Sequence, residues 1–417
     1  VQFLDPGTRL RYHDRLFPED PMTAPDLLSQ FSTTHEMLAQ LLHSIPEVEC
    51  YRSFHPELAP LAWYLGFSVY QETYWLREVV LGDDDLTGRI RELFSPPPPA
   101  TAEQWSQLPP LDHLLNWALE LQDGNLTLLA NPRLLPDHPL LREDRLQHHL
   151  LQQHHRIFEL MLLALNERQL QHGIHDGYHP TAPLRGTLPA SGLIGIAQGH
   201  YRIGAKEDPA ACDNELPPQM VELSGFRIAP RPISNAEFLR FLEQGGYSEH
   251  RFWSQAGRNW LQATEAGHPR RWRRDYAGAW YGIGLNGPFD LAPEAPVQGV
   301  SQFEAEAFAA WVDSLGGELQ GAVLQHEYQW EVTVRTQAIT EFGQVWEWCS
   351  NPFHPYTGFQ PSPDGLGSTG RFDPGQVTLR GASLHTQRSL RRPSFRNHAL
   401  PGSNHLFSGG RLVFPPG

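Results

Sequence analysis

Apolar residues recur at helical spacing through the first part of this chain and give way to short runs in the second. Leu27, Leu28, Phe31, His35, Leu38, Leu41 and Leu42 share one helix face, with Pro25-Asp26 as the start signal. Pro60 to Val80 carries Leu61, Leu65, Val69 and Leu76 at the same period, and two further helices are predicted over 111–129 and 142–171. The run Pro96-Pro97-Pro98-Pro99 cannot be helical and marks an exposed connection. Four helices with short links predict an antiparallel bundle. From 173 to 190, Gly, Pro, His and Thr break the periodicity and read as a linker. Beyond it, glycines, tryptophans and short strand patterns predict an α+β domain. The expected organisation is an N-terminal extension over 1–25, a helical bundle over 26–172, the linker, and the α+β domain over 191–417.

The densest local pattern is Gly343-Gln344-Val345-Trp346-Glu347-Trp348-Cys349. It reads as a short strand with the two tryptophans facing the core and Glu347 pointing the other way. A carboxylate between two large apolar groups costs roughly 2–7 kcal/mol unless it finds hydrogen-bond partners.

Composition narrows the functional classes. The 417 residues contain 32 basic and 47 acidic side chains, a net charge of −15, which argues against nucleic acid as the main partner. No apolar run of about 18 residues exists to span a membrane, and the first residues lack the apolar core of a signal peptide. Cys50, Cys212 and Cys349 are too few and scattered for a disulfide framework. A cytoplasmic protein with reduced thiols is expected.

Several segments of the second half resemble, in order, motifs of the formylglycine-generating-enzyme-like fold. Trp346-Glu347-Trp348 resembles its G-N-V-W-E-W signature. Pro232-Ile233-Ser234-Asn235-Ala236-Glu237-Phe238 is similar to its P-V-T-N-x-E start of a helix. Leu379-Arg380-Gly381-Ala382-Ser383 and Gly410-Arg411-Leu412 resemble its closing strands. With a DinB-like bundle in front, the whole resembles the ergothioneine-type sulfoxide synthases and their selenoneine-forming relatives. Asn351 to Phe359 and Arg392 to Asn397 add local support. The resemblance implies non-haem iron held by three bundle histidines, O2, and coupling of a sulfur or selenium donor to a trimethylated histidine.

At the implied iron site the chain departs from that family. Trp63-Tyr64-Leu65-Gly66-Phe67 matches the W-x-L-x-H pattern with Phe67 at the ligand position. Gln153 to Glu159 matches H-x3-H-x-E with Gln153 and Ile157 in place of histidines. Residues four apart on a helix can share a metal, but neither phenylalanine nor isoleucine offers a lone pair. No cofactor is therefore expected. An alternative ligand set of His155, Glu159 and His35 stays open, since His155 and Glu159 share a helix face, and it would bring iron(II) with it.

By the same resemblance, Arg392, Arg396 and Asn397 are candidates to hold substrate carboxylates, a role suited to the planar fork of arginine. Tyr70 and Gln71, one turn past Phe67, are candidates for the polar side of the pocket. Internal salt bridges for the arginines and simple packing for Tyr70 are the competing readings. Cys349 reads as a buried small hydrophobe, and the absence of later cysteines argues against the copper branch of the fold. Pro269-Arg270-Arg271-Trp272-Arg273-Arg274 reads as an exposed basic loop paired with nearby acids. Two functions remain. One is a family member without the iron, binding a small zwitterion related to histidine, with an active homologous subunit as a possible partner. The other is an O2-dependent C–S or C–Se bond-forming enzyme with a non-standard ligand set.

Overall fold

The computed structural model describes residues 27–94, 105–172, 177–189, 192–362 and 372–417. The expected helix start at Pro25-Asp26, the extension over 1–25 and the Pro96–Pro99 connection lie outside these residues.

Among the described residues of the first half, four long helices build the bundle: α1 (Leu27–His43), α2 (Leu61–Thr73), α3 (Leu111–Leu129) and α4 (Arg145–His172). The line of α2 continues over Tyr74–Val80 in wider π-helical turns. Every expected helix is present, with bounds within a few residues of the periodicity. Helix α2 packs against the other three and is buried on nearly all sides, including Leu61, Trp63, Leu65 and Val69. Its Gly66 is required by close approach, because a Cβ there would lie 2.2 Å from the Phe94 ring.

The second half is α+β, as expected. One sheet has the order β1 (Ile194–Ile196), β4 (Phe226–Ile228), β13 (Leu412–Phe414), β8 (Val323–Leu324). A second has the order β11 (Asn397–Ala399), β10 (Val377–Arg380), β9 (Trp346–Pro352), β12 (Ser408–Gly410), with β12 parallel to β9. A hairpin of β2 (Gly199–Ile203) and β3 (Gln219–Leu223) and a meander of β5 (Trp272–Arg274), β6 (Trp280–Gly284) and β7 (Gly287–Phe289) complete the strands. Helices α5 (Asn235–Glu243), α6 (Gln255–Thr264), α7 (Gln302–Ser314) and α8 (Glu327–Arg335) pack around them. The starts of α5 and α7 are fixed by capping boxes, Ser234 with Glu237 and Ser301 with Glu304.

Trp346 to Cys349 of β9 are buried on both faces, so the side to which Glu347 points, away from the tryptophans, is interior as well. The Glu347 carboxylate accepts from Arg411 at 2.8 and 2.9 Å and from Gln325 at 3.0 Å. The expected linker is not a free tether either. Leu184 joins the core of the second half, and Thr187 N donates to Ala236 O at 3.0 Å.

Helix α4 joins the two halves. Gln152 donates to Ala210 O (2.8 Å), Asn166 to Ile283 O (3.3 Å) and Gln169 to Leu285 O (3.2 Å), while Glu167 accepts two bonds from Arg270. Phe407 of the second half enters the bundle's own apolar core.

The capping residue Glu304 gives the fold a pH dependence. Burial raises its carboxyl from 4.5 to about 7, against hydrogen bonds from Ser301 and Tyr247. Between those pH values the folded chain keeps a proton that the unfolded chain has released. Stability should therefore fall as pH rises from 4.5 to about 7, by about 3 kcal/mol from this group. Urea midpoints for wild type and Glu304→Gln across that window check it: the variant should lack this part of the slope, and identical slopes would contradict it.

Candidate functional site

Of the three positions where the resemblance places iron ligands, two carry side chains with no lone pair and the third an amide. Phe67 stacks on Trp63 with ring centroids 4.8 Å apart and planes at 11°. Ile157 is 3% exposed and belongs to the apolar core of the bundle. Gln153 is half-buried and offers only an amide. A soft-to-borderline metal is not held by one amide oxygen, so these residues do not fit the family's iron.

The alternative set is also not assembled. His155 and Glu159 do share a face of α4, but that face meets the second half of the protein. His155 Nδ1 lies 2.7 Å from Ser389 Oγ, and its Nε2 lies 3.2 Å from Thr34 Oγ1. Burial and neighbouring His154 push the His155 pKa down to about 3. Glu159 accepts from Trp346 Nε1 (2.8 Å), Ser383 Oγ (2.6 Å) and Thr386 Oγ1 (2.8 Å). Its pKa is raised by burial, an effect those bonds only partly oppose. Glu159 thus ties the bundle to β9 and the loop after β10.

His35 faces a different pair. Its Nε2 lies 2.8 Å from Glu72 Oε2, and His154 Nε2 lies 2.9 Å from the same oxygen. Three helices, α1, α2 and α4, converge on this point. Burial alone would raise the Glu72 pKa, but the bonds from His154 and His35 outweigh it and hold it at about 2. Burial lowers the His154 pKa against the pull of Glu72. The step from His155 to His154 turns the side chain by about 100° around the helix, which exchanges the interdomain face for the bundle interior.

The expected carboxylate-binding arginines are committed to internal pairs. Arg396 is 1% exposed; its Nε and Nη2 donate to the two oxygens of Glu327 at 2.8 Å each, and its other donors reach Asn214 O and His354 O. Arg392 pairs with Glu215 through Nε (2.8 Å) and Nη2, and also reaches Gln152 and Ser389 O. The salt-bridge reading therefore applies to both. Asn397 sits on β11, its side-chain oxygen accepting from His398 N at 3.0 Å. Tyr70 is buried near Tyr74, with centroids 6.1 Å apart, and Gln71 is half-buried. Cys349 is fully buried, and burial pushes its thiol pKa well up, as expected for a packed rather than a nucleophilic cysteine.

One guanidinium expected on an exposed basic loop, paired with nearby acids, has no such partner. The basic stretch 269–274 is not simply exposed: Arg270 pairs with Glu167, whereas Arg271 is 4% exposed and forms no ion pair among the described residues. It donates to His405 O (3.0 Å) and Gln298 Oε1 (3.3 Å) and lies 4.2 Å from the Phe407 ring centroid; its Nε has no acceptor. Burial lowers its pKa. Arg271 lines a cavity of about 140 Å³ together with Trp272, Phe289, Asp290, His385 and Phe407. None of Tyr70, Gln71, Arg392, Arg396 and Asn397 lines it.

The similarities of the chain follow the same division. Residues 181–342 match the sulfatase-modifying factor enzyme 1-like domain. Across both halves the chain is 28% identical to hercynine oxygenase of Mycolicibacterium thermoresistibile, over 88% of this chain and 90% of that protein. It is 29% identical to hercynine oxygenase of Mycolicibacterium smegmatis, over 88% and 94%. It is also 27% identical to ergothioneine biosynthesis protein 1 of Schizosaccharomyces pombe, over 49% of this chain and 27% of that protein. The second half is thus a domain of the sulfatase-modifying-factor type. Across both halves the chain is similar to the hercynine oxygenases, beyond the residues that the domain match covers. No helix among the described residues is long and apolar enough to cross a membrane.

Proposed function

We propose that this chain binds a small zwitterion related to histidine in the cavity of its second half lined by Arg271 and does not carry the iron chemistry of the sulfoxide synthases it resembles. The bundle is read here as DinB-like, and the observation that carries the loss is the side-chain set at its ligand positions. Phe67 is stacked on Trp63 and Ile157 is sealed in apolar core, so a metal there would meet carbon rather than nitrogen. Such a protein would act as a binding subunit, beside an active homologous enzyme as its partner.

Arg271, rather than Arg392 or Arg396, is assigned to the ligand's carboxylate. Its buried guanidinium lacks an anion, and a carboxylate would supply one in the cavity that it lines. The rings of Trp272, Phe289 and Phe407 suit a trimethylammonium group through cation–π attraction, and Asp290 adds a negative charge. A charge-assisted bond of this kind contributes about 1.5–3 kcal/mol, so Arg271→Ala should weaken binding about ten- to a hundredfold. Calorimetry with trimethylhistidine measures this directly. Absence of wild-type binding, or equal binding by the variant, would remove the assignment. Binding should not change with iron(II) or O2. The second reading, an O2-dependent C–S or C–Se coupling, would draw on the His35–Glu72–His154 cluster as its non-standard ligand set.

A further inference from the structure

We propose that His35, Glu72 and His154 form a closed site for a divalent transition-metal ion of the zinc type, clipping three bundle helices together. The three are almost fully buried, and one ligand atom from each lies within 4.8 Å of the others. Two ligands at about 2.1 Å from one ion, at tetrahedral or octahedral angles, stand roughly 3.0–3.4 Å apart. The observed Nε2–Oε2 spacings of 2.8 and 2.9 Å need only a few tenths of an ångström of widening.

Two imidazole N–H groups donating to a carboxylate would give similar spacings without a metal. That arrangement leaves two things unexplained. Glu72 Oε1 is buried with no hydrogen-bond partner. Among the described residues, Glu72 has ion-pair geometry only with His35 and His154, so this buried carboxylate faces no lysine or arginine. A bound dication answers both, because the two carboxylate oxygens and the two Nε2 atoms make a four-coordinate N2O2 set. His154 Nδ1 has no acceptor, so the site lacks one of the outer-shell bonds that orient a ligating imidazole. Its affinity should be about 10–100-fold lower than that of a site with that bond.

This is not the ligand set of the family displaced by error. Glu72 lies five residues after Phe67 and His154 one after Gln153, rotations of roughly 140° and 100° around their helices. Phe31 covers the two imidazoles edge-on, at 5.9 and 5.8 Å. His35 is 7% exposed and Glu72 and His154 are 0% exposed, burial that suits a structural rather than a catalytic site. It is independent of ligand binding at Arg271.

The test uses the full chain stripped with a chelator and titrated with cobalt(II) as the optical probe and zinc(II) as the competitor. One cobalt(II) per chain with tetrahedral-type visible bands, displaced by zinc, is expected, and zinc should raise the melting temperature by about 2–4 °C or more. Glu72→Gln should abolish the bands. His35→Ala, at the least buried of the three positions, provides a second variant should the first fail to fold. Glu57→Gln, in the partly exposed His55–Glu57–His405 cluster, should leave the stoichiometry at one. An aquo-like cobalt spectrum with no thermal shift would show a hydrogen-bonded triad only and overturn the proposal. So would bands that disappear in Glu57→Gln.

Discussion

Arg396→Ala should destabilise the protein by about 3–5 kcal/mol while leaving ligand affinity close to wild type wherever the variant is folded. Arg396 was the natural choice for a substrate carboxylate, yet both oxygens of Glu327 already occupy its fork. Glu327 is 2% exposed, and removing the guanidinium leaves its buried carboxylate with only Asn351 Nδ2 at 3.0 Å and the more distant Arg380 at 3.8 Å. Two backbone carbonyls, Asn214 O and His354 O, lose donors as well, and the packing of Arg396 over the Tyr356 ring at 4.1 Å disappears. Urea unfolding followed by tryptophan fluorescence gives the stability change, and calorimetry below the transition gives the affinity. A variant of wild-type stability that has lost the ligand would return Arg396 to the binding site.

The second large effect is expected at Arg411. Arg411→Ala should lower stability by about 3–5 kcal/mol, because Glu347 lies between two tryptophans at 0% exposure and Arg411 is its bidentate partner. Arg411 Nη1 and Nη2 also bind Ala229 O and Glu341 O, so the change loosens the junction of the two sheets. Most of the loss comes from the unpaired charge rather than from the pair itself. Arg411→Met combined with Glu347→Leu should therefore be clearly more stable than Arg411→Ala alone. Thermal and urea unfolding of both variants decide it. A double variant no better than the single one would show that the carbonyl contacts dominate.

Local physics made much of this architecture legible. The helix periods located α1 to α4, because core-facing stripes of Leu27–Leu42 or Leu61–Leu76 repeat at 3.6 residues whatever they pack against. The demand of Glu347 for a partner could be stated from its neighbours alone, but not that Arg411, 64 residues later, would meet it. The same limit governed Arg392 and Arg396: the chemistry of a guanidinium is local, and its partner is chosen by the fold. The His35–Glu72–His154 cluster was closer to being readable. His154 stands at a core phase of α4 with Leu150, Ile157 and Met161, and His35 at a core phase of α1 with Phe31, Leu38 and Leu42. Following phase rather than i,i+4 pairs would have preferred His154 to His155. Arg271 offered no such cue, because its burial depends on β6 and on the Phe407 segment closing over it.

The most direct test of the central claim is product analysis by mass spectrometry. The full chain is incubated with iron(II), trimethylhistidine, O2 and a thiol or selenol. The account predicts no C–S or C–Se adduct above the protein-free control, in a preparation that calorimetry shows to bind trimethylhistidine. An adduct that requires iron and O2, and that disappears in His154→Ala, would contradict it and make the cluster in the bundle a catalytic centre.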